Sequence, residues 1–197
     1  MNAGEQVMAD AAGRFLRSLR EYNLSPGTMQ PAFGMAETCT CITYNNAHNE
    51  KPSDSKFVDL GPPIAGVEVR ITDKLNQVVP AGVEGRLQVR GSVVTPGYLF
   101  ADAANAESFV GEGWFNSGDL GFIKDGELTL TGREKEMIII RGANYYCYEI
   151  ETVVENVPGV RTSFVAATSV ASKSGTELLM TFFVPTAEFP ERLLPEL

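Results

Sequence analysis

Apolar residues recur at helical spacing along the first part of the chain. Val7, Ala11, Phe15, Leu19 and Tyr22 are separated by four, four, four and three positions, which places them on one helical stripe. Arg14, Arg17 and Glu21 fall off that stripe and are expected to face water, and Pro26-Gly27 ends the run. No strand precedes this helix, so the chain is expected to enter its first domain partway through. From Phe57 to Thr131 the period becomes two. Val67–Ile71, Arg86–Arg90 and Glu127–Thr131 all alternate apolar with polar, and Asp125-Gly126 between Leu120–Lys124 and Glu127–Thr131 is a strong two-residue hairpin signal. This stretch is expected to form a compact antiparallel sheet or small barrel.

The pattern changes again after Gly132-Arg133. Met137–Ile140 is a continuous apolar run of strand length, followed by an expected Arg141-Gly142-Ala143-Asn144 turn. Ile150, Val153, Val154 and Val157 predict a short helical face that Pro158-Gly159 stops, and Ser163–Ala167 and Leu178–Val184 predict two further strands. The fold class is therefore α+β or α/β. The expected domains are 1–132 and 137–197, joined by a hinge at 133–136. Pro185 and the tail from Pro190 to Leu197 read as the start of another element.

Composition narrows the function classes. With 44% hydrophobic and 21% charged residues among 197, the chain has the make-up of a globular protein with a sizeable core. Sixteen Lys and Arg against 25 Asp and Glu give a net charge of −9, which disfavours a nucleic-acid or anionic-membrane surface. No apolar run approaches the ~18 residues of a membrane span, and Met1 to Asp10 do not carry the basic and then apolar pattern of a secretory signal. Three cysteines, Cys39, Cys41 and Cys147, do not suggest a disulfide framework; a reducing, cytoplasmic compartment is expected. The single His48 excludes any mechanism that needs two histidines.

Candidate chemistry sits in the loops. In Phe33-Gly34-Met35-Ala36-Glu37-Thr38, Glu37 follows a glycine-containing turn; it is either a Mg²⁺ ligand bridging to phosphate or an exposed loop acid. Asp119, directly after Gly118, either accepts both hydroxyls of a vicinal diol such as ribose or caps a turn. In Gly132-Arg133-Glu134-Lys135-Glu136, Arg133 either forks onto ribose or phosphate oxygens or belongs to a solvated linker, with Lys135 a candidate hinge. The glycine of Arg141-Gly142-Ala143-Asn144 either admits a thin ligand or only turns a hairpin.

The order of these motifs resembles the adenylate-forming family: acyl-CoA synthetases, fatty acyl-AMP ligases and the adenylation domains of peptide and polyketide assembly lines. Asn2–Val7 is similar to its Gly-Glu loop and Phe33–Thr38 to its aromatic-Gly-x-Thr-Glu motif. Gly85–Gly91 through Pro96-Gly97-Tyr98-Leu99 resembles the segment leading to its Gly-Tyr turn. Gly113–Leu120 is similar to its Gly-Asp-Leu motif, and Gly132–Glu151 to its hinge-to-helix motif. The resemblance implies the end of a large N-terminal domain, closing in a small antiparallel β-barrel, then part of a small C-terminal α/β domain.

It also implies roles. Gly4, Glu5, Phe33, Gly34, Met35, Asp119 and Arg133 would bind nucleotide, with Phe33 and Gly34 flanking the adenine and acyl pocket and Asp119 on the ribose hydroxyls. Glu37 would be catalytic through Mg²⁺, Lys135 would be the hinge, and Gly142 would line a pantetheine tunnel. The implied reaction activates a carboxylic acid with ATP as acyl-adenylate and transfers it to coenzyme A or a carrier-protein phosphopantetheine. The wording of Gly132–Tyr146 leans toward fatty acyl-AMP ligase-like and polyketide-loading members. Against the family pattern, Ala36 stands where many members have Thr, and the Glu37–Gly61 interval is short for a fatty acyl-AMP ligase. The phosphate loop and the late catalytic lysine have no counterpart here, so we expect a piece of such an enzyme, inactive alone and partnered by the rest of its adenylation domain. The alternative is a non-catalytic docking module that keeps the fold.

Overall fold

In the computed structural model, which describes residues 9–46, 57–140, 143–171 and 177–186, helix α1 spans Ala9–Ser18. Its buried positions are Ala12 and Leu16, whereas Phe15 is 53% and Tyr22 72% exposed. The expected stripe through Phe15 and Tyr22 is therefore not the face that packs; Val7 lies outside the described residues. Neighbouring helix positions differ by roughly 100°, and this helix carries a second apolar row one step round. The partner decides between them: Ala12 packs with Val58 and Leu60, and Ala9, Met29, Phe33 and Leu130 close in around that cluster.

Strands β1 (Ala32–Met35) and β2 (Thr40–Tyr44) pair antiparallel. Strands β3 (Val67–Thr72), β4 (Gly85–Gly91), β5 (Phe115–Lys124) and β6 (Glu127–Arg133) form an antiparallel sheet in chain order. Helix α2 (Asp102–Ser108) lies in the β4–β5 connection. Ile42, Val67, Ile71, Leu87, Val89 and Leu128 make the core beneath the sheet. Extended segment 60–64 links the two sheets: Leu60 N–H donates to the Leu128 carbonyl, Leu128 N–H to that of Gly61, and Ile64 N–H to that of Ile42. The strand ladders do not close on themselves among the described residues, so the observed architecture is an open sheet bridged by this segment.

The Asp125-Gly126 hairpin forms as its sequence predicts. Lys124 pairs with Glu127, and the two turn residues take φ of 53° and 83°, the left-handed pair that fits the twist of the flanking strands. On β4 the strict alternation fails, because Leu87, Gln88 and Val89 are buried in succession. Gln88 remains inside because its amide is satisfied: Arg70 Nε donates to its Oε1 at 2.8 Å, and its Nε2 donates to Asn76 Oδ1 at 2.7 Å.

The chain divides into two compact units, Met1–Glu134 and Lys135–Leu197. In the second, β7 (Met137–Ile140) pairs with β8 (Ala143–Tyr146), followed by α3 (Cys147–Glu155), β9 (Val160–Ala171) and β10 (Glu177–Pro185), the last two antiparallel. Ala143 and Asn144, expected in a turn, belong to β8, because the register Ile140↔Ala143 leaves only residues 141 and 142 between the strands. Val153, expected on the packed face of α3, is 68% exposed. The helix is held to β9 instead by carboxylates: Ala167 N–H donates to Glu151 and Ser163 N–H to Glu155. No helix among the described residues is long and apolar enough to cross a membrane.

Candidate functional site: a carboxylate pair at the end of β1 and on β5

Glu37 sits in the 3₁₀ turn Ala36–Thr38 that joins β1 to β2. The turn is tight because Gly34 allows it: a Cβ there would lie 2.3 Å from the Thr40 carbonyl oxygen and 2.4 Å from Cys41 Cα. A bulge between Phe33 and Gly34 shifts the register at that point. The buried Thr38 hydroxyl then staples the turn, accepting the Met35 N–H at 3.3 Å and donating to the Thr40 carbonyl at 2.8 Å. Cys39 follows with φ of 55°. The chain is thereby made to present the Glu37 side chain rather than bury it.

A second segment grips the same acid. Thr95 N–H donates to the Glu37 carbonyl at 2.7 Å, and the Tyr98 hydroxyl donates to Glu37 Oε1 at 2.6 Å. Tyr98 is itself clamped by Asn105 of α2, whose Oδ1 accepts the Tyr98 N–H and whose Nδ2 donates to the Tyr98 carbonyl. The Phe109 ring lies edge-on to Tyr98 at 6.2 Å. Burial first, then the bond to the Glu37 carboxylate, pushes the Tyr98 phenol up to about 12. The sequence places Tyr98 only in a turn, because no local spacing links it to an acid 61 positions earlier.

Asp119 is on β5, 5% exposed. Gly118, at φ of 76°, precedes it where the β4–β5 register shifts within the strand, and the Ser117 Oγ accepts the Asp119 N–H. Across the β5–β6 ladder its register partner is Arg133, whose Nε donates to Asp119 Oδ1 at 2.9 Å. Burial raises the Asp119 carboxyl above its ordinary value; Arg133 and Ser117 oppose this, and the negative charge of Glu37 adds to it. Two carboxylates thus share a field, one backed by a phenol and the other by a guanidinium.

In the first unit Asp119 pairs with Arg133 and feels the charge of Glu37, and Phe33, Gly34 and Met35 lie on β1 directly before the turn that carries Glu37. Lys135, exposed, begins the second unit inside the 3₁₀ turn Glu134–Glu136. Gly4, Glu5 and Gly142 lie outside the described residues. No group of three or more His, Cys, Asp or Glu that would hold a metal by itself occurs among the described residues. A single carboxylate does suit Mg²⁺, which keeps several waters and binds through one or two acids plus substrate phosphates. Glu37 fits that need, since Tyr98 occupies only Oε1 and no described residue bonds Oε2.

Comparison with known proteins gives the family of the chain. A family model described as AMP-binding enzyme matches residues 1–99. The chain is 37% identical over 193 residues to the atromentin synthetase invA1 of Paxillus involutus, covering 94% of this chain and 20% of that protein. It superposes with a TM-score of 0.85 and 42% identity on McyG A-PCP complexed with phenylalanyl-adenylate, covering 97% of this chain and 35% of that one. A keto acid-selecting nonribosomal peptide synthetase module carrying adenylation, ketoreductase and pseudo Asub domains gives 0.82 and 38%, over 93% of this chain and 18% of that one. The chain spans about a fifth of the length of the curated relatives it matches. None of these three is described as a fatty acyl-AMP ligase or a polyketide-loading enzyme, so they give no support to that leaning. With the family model matched over residues 1–99 and the fold shared over nearly its whole length, this chain belongs to the AMP-binding enzymes.

Proposed function

We propose that this chain forms the ribose-binding side of an adenylation domain of the nonribosomal peptide synthetase type, which activates a carboxylic acid with ATP as its acyl-adenylate. The observation that carries the reading is the buried Asp119 carboxylate, preset by Ser117 and Arg133. A carboxylate has about four acceptor sites. With one taken by the Arg133 Nε–H, Asp119 retains enough to accept both hydroxyls of a ribose. Arg133 is 59% exposed along its side chain, so it can exchange its bond to Asp119 for one to a sugar oxygen.

Phe33, Gly34 and Met35 would flank the adenine and the acyl group, on the strand that Gly34 lets run close to the β2 backbone before the Glu37 turn. Glu37 Oε2 would take Mg²⁺, which when bound offsets the charge that builds on the phosphates. Lys135 would be the hinge on which residues 137–197 turn between half-reactions. Gly4 and Glu5 would lie along the adenine, and Gly142 beside the pantetheine arm. The phenylalanyl-adenylate and keto acid named with the similar structures support an α-amino or α-keto acid as substrate. The carrier protein in the first of them supports phosphopantetheine rather than coenzyme A as acceptor.

The test is calorimetry of AMP and of Mg-ATP with this chain and with Asp119→Ala. Binding by the parent that disappears in the variant supports the reading. Binding that survives Asp119→Ala unchanged would remove Asp119 from the site and the reading with it.

A further inference from the structure

We propose that Tyr98, held by Asn105, is the positioning residue that aims Glu37 at the metal of a bound metal–nucleotide. This rests on the adenylation reading above and extends it to a residue outside the nucleotide contacts. A carboxylate on a 3₁₀ turn has rotamers to choose from, and only some direct its free oxygen into the site. The Tyr98 hydroxyl has one proton and spends it on Glu37 Oε1 at 2.6 Å, the length of a charge-assisted bond. That bond fixes the carboxylate plane and leaves Oε2 as the oxygen that faces a cation. The turn backbone is held from the same segment, through Thr95 N–H on the Glu37 carbonyl.

Tyr98 can impose this only if it is itself immobile, and α2 provides that. Asn105 bonds both the N–H and the carbonyl of Tyr98, at 2.7 and 2.9 Å. A side chain at Gly97 would press on that amide, with a Cβ 3.3 Å from Asn105 Oδ1. The phenol ring is further fenced by Phe109, which lies tilted against Phe115 of β5 with ring centroids 5.2 Å apart. Second partners of this kind typically change metal affinity by about 10–100-fold when removed.

The experiment is a double-mutant cycle on the full chain with Glu37→Gln, Tyr98→Phe and the pair. Two quantities are read: Mn²⁺ affinity in the presence of ATP, by electron paramagnetic resonance, and metal-free AMP affinity, by calorimetry. The expected result is that Tyr98→Phe weakens Mn²⁺–ATP about tenfold and leaves metal-free AMP within about twofold. In the Glu37→Gln background Tyr98→Phe then adds little, because the two act as one unit. A merely structural Tyr98 would lower both affinities together and additively, which overturns the proposal. So does unchanged Mn²⁺–ATP affinity in Tyr98→Phe. Asn105→Ala, which leaves the phenol in place but unclamped, should reproduce a smaller part of the metal effect. Failure of the parent chain to bind metal-free AMP would instead count against the adenylation reading beneath it and remove this proposal as well.

Discussion

Asp119 and Arg133 face each other across β5 and β6 with 2.9 Å between Oδ1 and Nε, yet the acid's side chain is 6% exposed and the arginine's 59%. The asymmetry sets what each contributes. The buried acid depends on its partners for solvation, while the arginine can be hydrated without it. Asp119→Asn should therefore weaken AMP binding by about 10–100-fold, the range for a hydrogen bond to a charged group. Arg133→Met should cost less AMP affinity, while pushing the Asp119 carboxyl further up. Calorimetry of the two variants side by side checks the order.

The raised Asp119 carboxyl gives opposite pH trends for stability and for binding. Its folded value lies above the ordinary 3.8, with burial the main cause. The native state then holds the proton more tightly than the unfolded chain, so stability is greatest at low pH and falls as pH rises through that window. Nucleotide binding needs the carboxylate and should fail on acidification at a higher pH than an ordinary aspartate would show. Denaturant unfolding and AMP titration from about pH 3 to 7, compared with Asp119→Asn, check both signs. The variant should flatten this component of each curve.

Gly34→Ala should destabilise the fold by about 1–3 kcal/mol, the usual cost of forcing extra volume into a packed site. The added methyl would meet the Thr40 carbonyl and the Cys41 backbone at 2.3–2.7 Å, and backbone atoms cannot swing aside as a side-chain tip would. Because the turn carrying Glu37 begins there, metal–nucleotide affinity should fall with it. Thermal unfolding together with Mn²⁺ binding reads both effects.

Leu87→Ala should cost about 2–5 kcal/mol by transfer and cavity effects together. Leu87 is fully buried among Ile42, Ile71, Val89 and Leu128. Phe15→Ala on α1, half exposed, should stay within about 0.5 kcal/mol. Urea unfolding of the two variants checks that Leu87 belongs to the core and that the Phe15 stripe of α1 does not.

Several elements were legible in the chain because their signals are local. The Asp125-Gly126 turn needs two left-handed residues in a row, and that requirement is written in the dipeptide itself. β7, with Met137–Ile140, and the ends of α3 near Pro158-Gly159 follow from short-range pattern in the same way. Asp119 and Arg133 could be singled out as candidates, since each flanks a glycine. Their membership of one site is a matter of register, set by how β5 pairs with β6 around an irregularity at Leu120 and Gly121.

Other features depend on the neighbour. Which stripe of α1 packs was decided by Val58 and Leu60, forty and more residues away. Gln88 sits inside because Arg70 and Asn76 reach its amide from other parts of the sheet region, a satisfaction that periodicity cannot encode. β8 was hidden because Ala143 and Asn144 have turn-like composition, yet the hairpin register extends through them. The sequence by itself therefore determined the strongly patterned elements, the order of the motifs and the family they belong to, since backbone preference and apolar period act over a few residues. Only the tertiary structure decided that Tyr98 holds Glu37 and that Arg133 meets Asp119, because a hydrogen bond depends on distance in space, and the fold alone brings positions 37 and 98, or 119 and 133, within 3 Å.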